Sequence, residues 1–235
     1  MAPKLALPAV LFLHIGWARE YRGDAKDPPL GKFGFFEEGN SATAGETLNF
    51  KAYKGRCYGY AAAGNSINIG KLGAKPGSDS VDGILVIWTA TEPTEGGRYI
   101  VGWFQNARVH RQIQATRPNR IRPDFFVEAA TEDCQLIPVD DRTFIPAREK
   151  GWPGIAAAFF ASENLSTDKL RRVLAYVDQG AGAEGFAETK SEGDPPNPPA
   201  GPPDPAVEIE AVKQVRLYYE KRRWRVKSVE SENRG

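Results

Sequence analysis

The chain has 235 residues, 41 % of them hydrophobic and 26 % charged, with 31 basic against 30 acidic side chains. That is enough for one sizeable domain plus an appendage, with the composition of an ordinary globular protein. A formal net charge of +1 gives no overall bias toward nucleic acid, and two widely spaced cysteines, Cys57 and Cys134, define no zinc site.

The N-terminus carries one lysine and a short apolar run, LPAVLFLHI, interrupted by Pro8. It lacks the small-residue cleavage pattern of a signal peptide and is too short to span a membrane. It reads as the first buried strand, with His14 as a core histidine. A cytoplasmic, reduced protein is the default expectation. A single disulfide is open to the two cysteines, although nothing marks the chain as secreted.

Strand signals dominate as far as residue 146. Val10 to Ile15 is continuous and apolar, as in a fully buried strand. Lys32 to Glu37 and Glu46 to Tyr53 alternate less cleanly, and Arg56 to Ala63 and Ser66 to Lys71 are short and β-like. Ile84 to Thr91 and Tyr99 to Phe104 are the strongest strands, joined by a turn at Gly96-Gly97. Val109 to Gln114 continues the second across a bend at Asn106. Phe125 to Ala129 and Cys134 to Val139 complete the set. Short strands punctuated by Gly, Asn and Pro predict a bent antiparallel sheet or a small β-barrel.

Helical signals come later. Ser166-Thr167-Asp168 caps DKLRRVLAYVDQ, with Leu170, Val173, Leu174 and Val177 on one face and Gly180 and Gly182 at its end. Ile155 to Ser162 is a short helix or a buried strand; periodicity does not separate the two. The fold class is therefore α+β with C-terminal helices. Residues 188–205, ETKSEGDPPNPPAGPPDP, form a Pro-rich semi-rigid spacer. The predicted organisation is a recognition domain over 1–187, the spacer, and a helix and strand over 206–235 that open a second domain and are too short to fold alone.

Three segments carry a family resemblance: LFLHIGWAREYRG (11–23), INIGKLGA with DSVDGILVIWTA (67–74 and 79–90), and GGRYIVGWFQNARVHR (96–111). They resemble the N-terminal module of a group of bacterial proteins described as restriction endonucleases, in which a sensor precedes a nuclease-like domain. The resemblance covers roughly the first 150 residues. Where the group has a Gly-Gln-Ser-Asn-aromatic stretch, this chain has GWPGIAAAFFASE (151–163), which puts any binding role of that stretch in doubt. Residues 207–235 resemble the opening of the NO VEIN C-terminal domain, which is similar to PD-(D/E)XK nuclease folds. There a helix-borne Glu, here Glu208 or Glu210, assists a divalent metal. The catalytic Asp and Glu-x-Lys would lie beyond Gly235, so the chain as given is expected to hold no catalytic site and no cofactor of its own. Without those partners, both glutamates also read as a solvated helix face.

By analogy with the EVE and SRA base readers, the resemblance implies a PUA-like frame and a double-stranded DNA partner, with a modified base as the sensed feature. A flipped base needs aromatic faces and an amide to read its edge. Trp103, Phe104 and Asn106 supply these types within four residues, and Trp17, Tyr21 and Tyr58 are candidates to face them. Arg108, His110, Arg111, Arg117, Arg120 and Arg122, with no acid among residues 108–122, form a candidate phosphate-binding strip. Each feature has a plainer reading. Trp88, inside ILVIW, fits the core; Trp103 fits core or pocket; Asn106 fits a turn; the arginines fit a solvated edge. The runner-up function is a protein- or small-ligand-binding scaffold without nucleic-acid contact. A closed surface near Trp103 and scattered arginines would favour the scaffold. No nucleophile, phosphate loop or paired-carboxylate constellation is recognisable.

Overall fold

Alternating apolar residues distribute the strands of this protein between two opposite core layers. In the computed structural model, residues 8–24, 26–27, 41–94, 96–115, 124–142, 152–153 and 156–180 are described. Seven strands form one open, mixed sheet: β1 (Val10–Ile15), β2 (Arg56–Gly59), β3 (Ser80–Thr91), β4 (Arg98–Gln114), β5 (Phe125–Ala130), β6 (Cys134–Leu136) and β7 (Ala158–Phe160). The order is β2-β5-β4-β3-β1-β7, with β6 also paired to β4. The α+β class holds. The expectation of a wholly antiparallel sheet or a barrel is corrected in two respects. The β1–β3 pair is parallel, and β2 and β7 end an open sheet. A parallel pair needs a long crossover, which residues 16–79 provide.

Side chains alternate across a strand, and the two layers follow from that. Leu11, Leu13 and Ile15 of β1 join Val86, Trp88 and Ala90 of β3 in one layer, roofed by the crossover through Tyr21, Phe50 and Ile69. Val10 and Phe12 join Leu85, Ile87, Ile100 and Trp103 in the other. That second layer is covered by α2 (Thr167–Gln179) through Leu170, Val173, Tyr176 and Val177. As the sequence predicts, Ser166 caps α2: its side chain accepts a hydrogen bond from the Lys169 amide at 3.3 Å, and Gly180 ends the helix.

Strand β4 has two pairing zones. Its first half pairs with β6 (Gly102↔Leu136, Phe104↔Cys134) and its second with β5 (Arg108↔Glu128, Gln114↔Phe125). The bend between them sits at Asn106, whose φ of 47° is the left-handed conformation that Asn tolerates better than most residues. Gly102 has no such φ but is required sterically. A Cβ there would run into the Gln135 carbonyl oxygen and the Phe50 ring.

Several predicted elements differ from the structure. Glu46 to Tyr53 is not a strand; a 3-10 helix occupies Ser41–Leu48 and a turn follows. Its buried polar groups, Glu46 and Asn49, bond to backbone elsewhere and so replace a ladder. Ser66 to Lys71 keeps one bridge, Ser66↔Gln112, and then forms a 3-10 turn at Ile69–Leu72. Cys134 to Val139 is a strand only to Leu136 before Pro138 redirects it into a 3-10 turn. Ile155 to Ser162 combines both readings, strand β7 followed by one helical turn, α1 (Ala161–Asn164). The strand expected at 32–37, the spacer 188–205 and the segment 206–235 with Glu208 and Glu210 lie outside the described residues. Among the described residues, no helix is long and apolar enough to cross a membrane.

Candidate functional site

The second half of β4 buries Ala107 and Val109 and turns Arg108 and His110 to the other side. Among the described residues, helix α2 packs on the first half of β4 through Trp103, while Arg108 on the second half stays 46 % exposed at its side chain. Residues paired directly across antiparallel strands share a face. Tyr58 pairs with Glu128 on β5, and Glu128 pairs with Arg108 on β4, so the three form one row across the sheet. Phe125 joins it, edge-on to Tyr58 at 4.9 Å and to His110 at 5.7 Å.

Glu128 organises the basic side chains of this face. It accepts a hydrogen bond from Arg56 Nε at 3.0 Å, lies 3.2 Å from His110 Nε2 and 4.0 Å from Arg108 Nη1. Arg108 donates through Nε to Asp82 at 2.6 Å, and that carboxylate raises the guanidinium above its ordinary pKa. Ion pairs this exposed add little to stability but fix side-chain direction. Arg56 and Arg108 remain 41 % and 46 % exposed at the side chain, so both keep donors in reach of solvent. Arg111 points elsewhere: its Nε donates to the Ser78 carbonyl at 2.9 Å, tying β4 to the crossover. Arg117, Arg120 and Arg122 lie outside the described residues, on the connection between the paired residues Gln114 and Phe125.

The residues expected to form an aromatic base pocket do not meet in one place. Phe104 is fully buried between Phe50 and Trp88 in the crossover layer. Trp103 is 4 % exposed in the opposite layer, edge-on to Tyr176 of α2. Bulky residues adjacent in a strand point to opposite faces, so these two cannot share a pocket wall. Tyr21 is fully buried, its hydroxyl donating to the Gly16 carbonyl at 2.7 Å and accepting from the Ala18 amide at 3.1 Å. Trp17 lies beneath the Arg142 guanidinium, 4.7 Å from the ring centre. Asn106 is exposed at the bend and donates to Asp133 at 3.3 Å. Of the nine predicted site residues that are described, Tyr58, Arg108 and His110 share the open face.

Beside Trp103, β4 and β6 and the end of α2 border an open polar cleft of about 510 Å³. Glu132, Asp133, Asp141 and Asp178 line it. The C-terminal end of α2 adds the negative pole of its dipole. Such a cleft attracts cations and repels phosphate.

Three buried polar groups support the frame, and two of them, Arg142 and Glu46, do not stand out in the sequence. Arg142 donates to the carbonyls of Ile137, Ala18 and Arg19 at 3.0, 2.8 and 2.8 Å; burial lowers its pKa. Glu46 accepts from the amides of Gly16 at 2.8 Å and Ala62 at 3.3 Å, and burial raises its carboxyl pKa. His14 is buried as expected; desolvation, then the nearby Arg98 charge, lower its pKa from 6.5 to about 4. Arg56, Asp82, Phe125 and Glu128 of the open face were also not singled out in the sequence. The one signal for Glu128 is a lone acid inside the apolar run FFVEAA.

No family model, curated protein or solved structure matches this chain.

Proposed function

We propose that this domain is the DNA-recognition module of a bacterial modification-dependent restriction or defence nuclease. It engages duplex DNA through the open face of β2, β5 and β4 and through Arg117, Arg120 and Arg122 of the segment that joins β4 to β5 in sequence. The observation that carries the reading is the row Tyr58–Glu128–Arg108, flanked by His110 and Arg56, with the buried Phe125 packed edge-on against Tyr58. Two of its three strands, β4 and β5, are joined by the segment that carries Arg117, Arg120 and Arg122 without an intervening acid. A sheet face bearing aromatic and basic side chains is a recurrent nucleic-acid platform, and a basic two-stranded ribbon fits a groove.

Sensing of a modified base is the finer part of this reading, and it falls to Tyr58 and its neighbours. Trp103, Phe104 and Tyr21 are enclosed and offer no stacking surface. A PUA-like frame is the accompanying fold analogy, supported by the bent sheet with a helix on one face. The cytoplasm, whose reducing milieu suits two free thiols, is the setting we assign.

The test is duplex binding by the full chain and two variants. Simultaneous Arg117→Gln, Arg120→Gln and Arg122→Gln should weaken plain and modified duplexes equally. Tyr58→Ala should cost roughly 1–3 kcal/mol of binding, the worth of one stacked base, and more on the preferred duplex. Wild-type affinity in both variants would remove the proposal.

A specific observation also favours a second reading, a scaffold that binds a cationic peptide or small ligand: the acidic cleft beside Trp103. Asp178→Asn together with Asp141→Asn would then abolish capture of a lysine-rich peptide while leaving duplex binding unchanged. Equal capture by wild type and variant would dismiss the cleft.

A further inference from the structure

The two cysteines, far apart in sequence, meet in the fold. Cys57 lies on edge strand β2 opposite Ala129 of β5 and is 2 % exposed. Cys134 opens β6, just after the turn that follows β5, and its thiol donates to the Ala130 carbonyl at 3.1 Å. The turn is pinned from the other side, where the Thr131 amide donates to the Gly55 carbonyl at 3.0 Å. Cys134 packs against the core layer that contains Cys57, and the two side chains are neighbours there. Both are free thiols.

We propose that Cys57 and Cys134 are a redox-active dithiol that hydrogen peroxide converts to an intramolecular disulfide, clamping edge strand β2 to β6. Cys57 is the attacking sulfur. The neighbouring Cys134 side chain lowers the Cys57 pKa, whereas the proximity of Cys57 and burial raise that of Cys134. The thiolate is the reactive form. Cys57 sulfur attacks one peroxide oxygen, the O–O bond breaks, and the departing hydroxide takes a proton to become water. The product is a Cys57 sulfenic acid. Cys134 sulfur then attacks the Cys57 sulfur. The S–S bond forms, the S–O bond breaks, and hydroxide leaves as water with the Cys134 proton. Two thiols lose two electrons in total, and one peroxide is reduced to two waters.

The bridge does not depend on DNA binding, but its placement bears on it. Cys57 sits between Arg56 and Tyr58, so a bond on the core side of β2 fixes the strand that presents both to the open face.

The experiment is peroxide titration of the full reduced chain, followed by alkylation, proteolysis and mass spectrometry. The expected result is loss of both alkylatable thiols and a reducible cross-linked peptide containing Cys57 and Cys134, in monomeric protein. A Cys134→Ser variant should trap the intermediate as a dimedone adduct on Cys57, and Cys57→Ser should yield no adduct. Two thiols still open to alkylation, oxygen added without a cross-link, or bridges only between chains would each overturn the proposal. Because the readout is covalent, failure here leaves DNA binding untouched, and loss of DNA binding leaves the bridge intact.

Discussion

Burial decides what individual side chains can do. Trp103 looks in sequence like a stacking platform, since it follows Gly102 and precedes Phe104, Gln105 and Asn106. In the fold it is core, wedged between the sheet and Tyr176 of α2. Trp103→Ala should therefore cost about 3–5 kcal/mol of unfolding free energy, read by urea denaturation, rather than erase a ligand preference in a stable protein. A stable variant with altered duplex preference would return Trp103 to the recognition surface. His14 makes a second prediction at this scale. Its folded pKa, about 4, lies below the 6.5 expected when unfolded, so the unfolded state takes up its proton first. The stabilisation is complete above pH 6.5 and is lost as pH falls through 4, on the order of 3 kcal/mol. Glu46 has the opposite sign: its raised pKa makes burial more costly as pH rises. Comparing wild type with His14→Gln cancels the Glu46 contribution. Over that window the wild type should lose stability more steeply than the variant, and parallel pH profiles would show that His14 is not buried neutral.

At the scale of elements, what was legible depended on whether a local pattern decided the outcome. Strands β1, β3 and β4 and helix α2 follow from apolar periodicity and a capping serine, and the bend at Asn106 from the tolerance of Asn for positive φ. The crossover was not legible, because Glu46 and Asn49 owe their buried places to backbone groups at Gly16, Tyr60 and Ala62. Those are long-range partners with no signature in a local window. The parallel β1–β3 pair was hidden for the same reason: continuous apolar strands look alike in either direction. The candidate site divided likewise. Tyr58, Arg108 and His110 could be named singly, but their meeting at Glu128 depends on the register of three strands. Gly102 tests the element-level packing. A methyl group at this position collides with the Gln135 backbone, which cannot swing aside as a side chain can. Gly102→Ala should lower stability by about 1–3 kcal/mol, measured by thermal or urea unfolding. A neutral substitution would mean that β6 does not sit against β4 as described.

At the scale of the whole molecule, the near-zero net charge conceals a division of sign. Among the described residues, one region carries Arg56 and Arg108, each held by the carboxylate of Glu128 or Asp82; another carries the acidic cleft near the end of α2. The acidic cleft repels phosphate, so the duplex contact proposed above falls to the first region. The most direct measurement is duplex affinity of the full chain as a function of salt. Each phosphate neutralised contributes about −0.9 to the slope of log K against log salt concentration. Contact through the open face and the connection should give a slope of about −3 or steeper, flattened by roughly one unit for each arginine removed among Arg117, Arg120 and Arg122. A flat slope, or no duplex binding at low salt, would contradict the assignment of this surface to DNA.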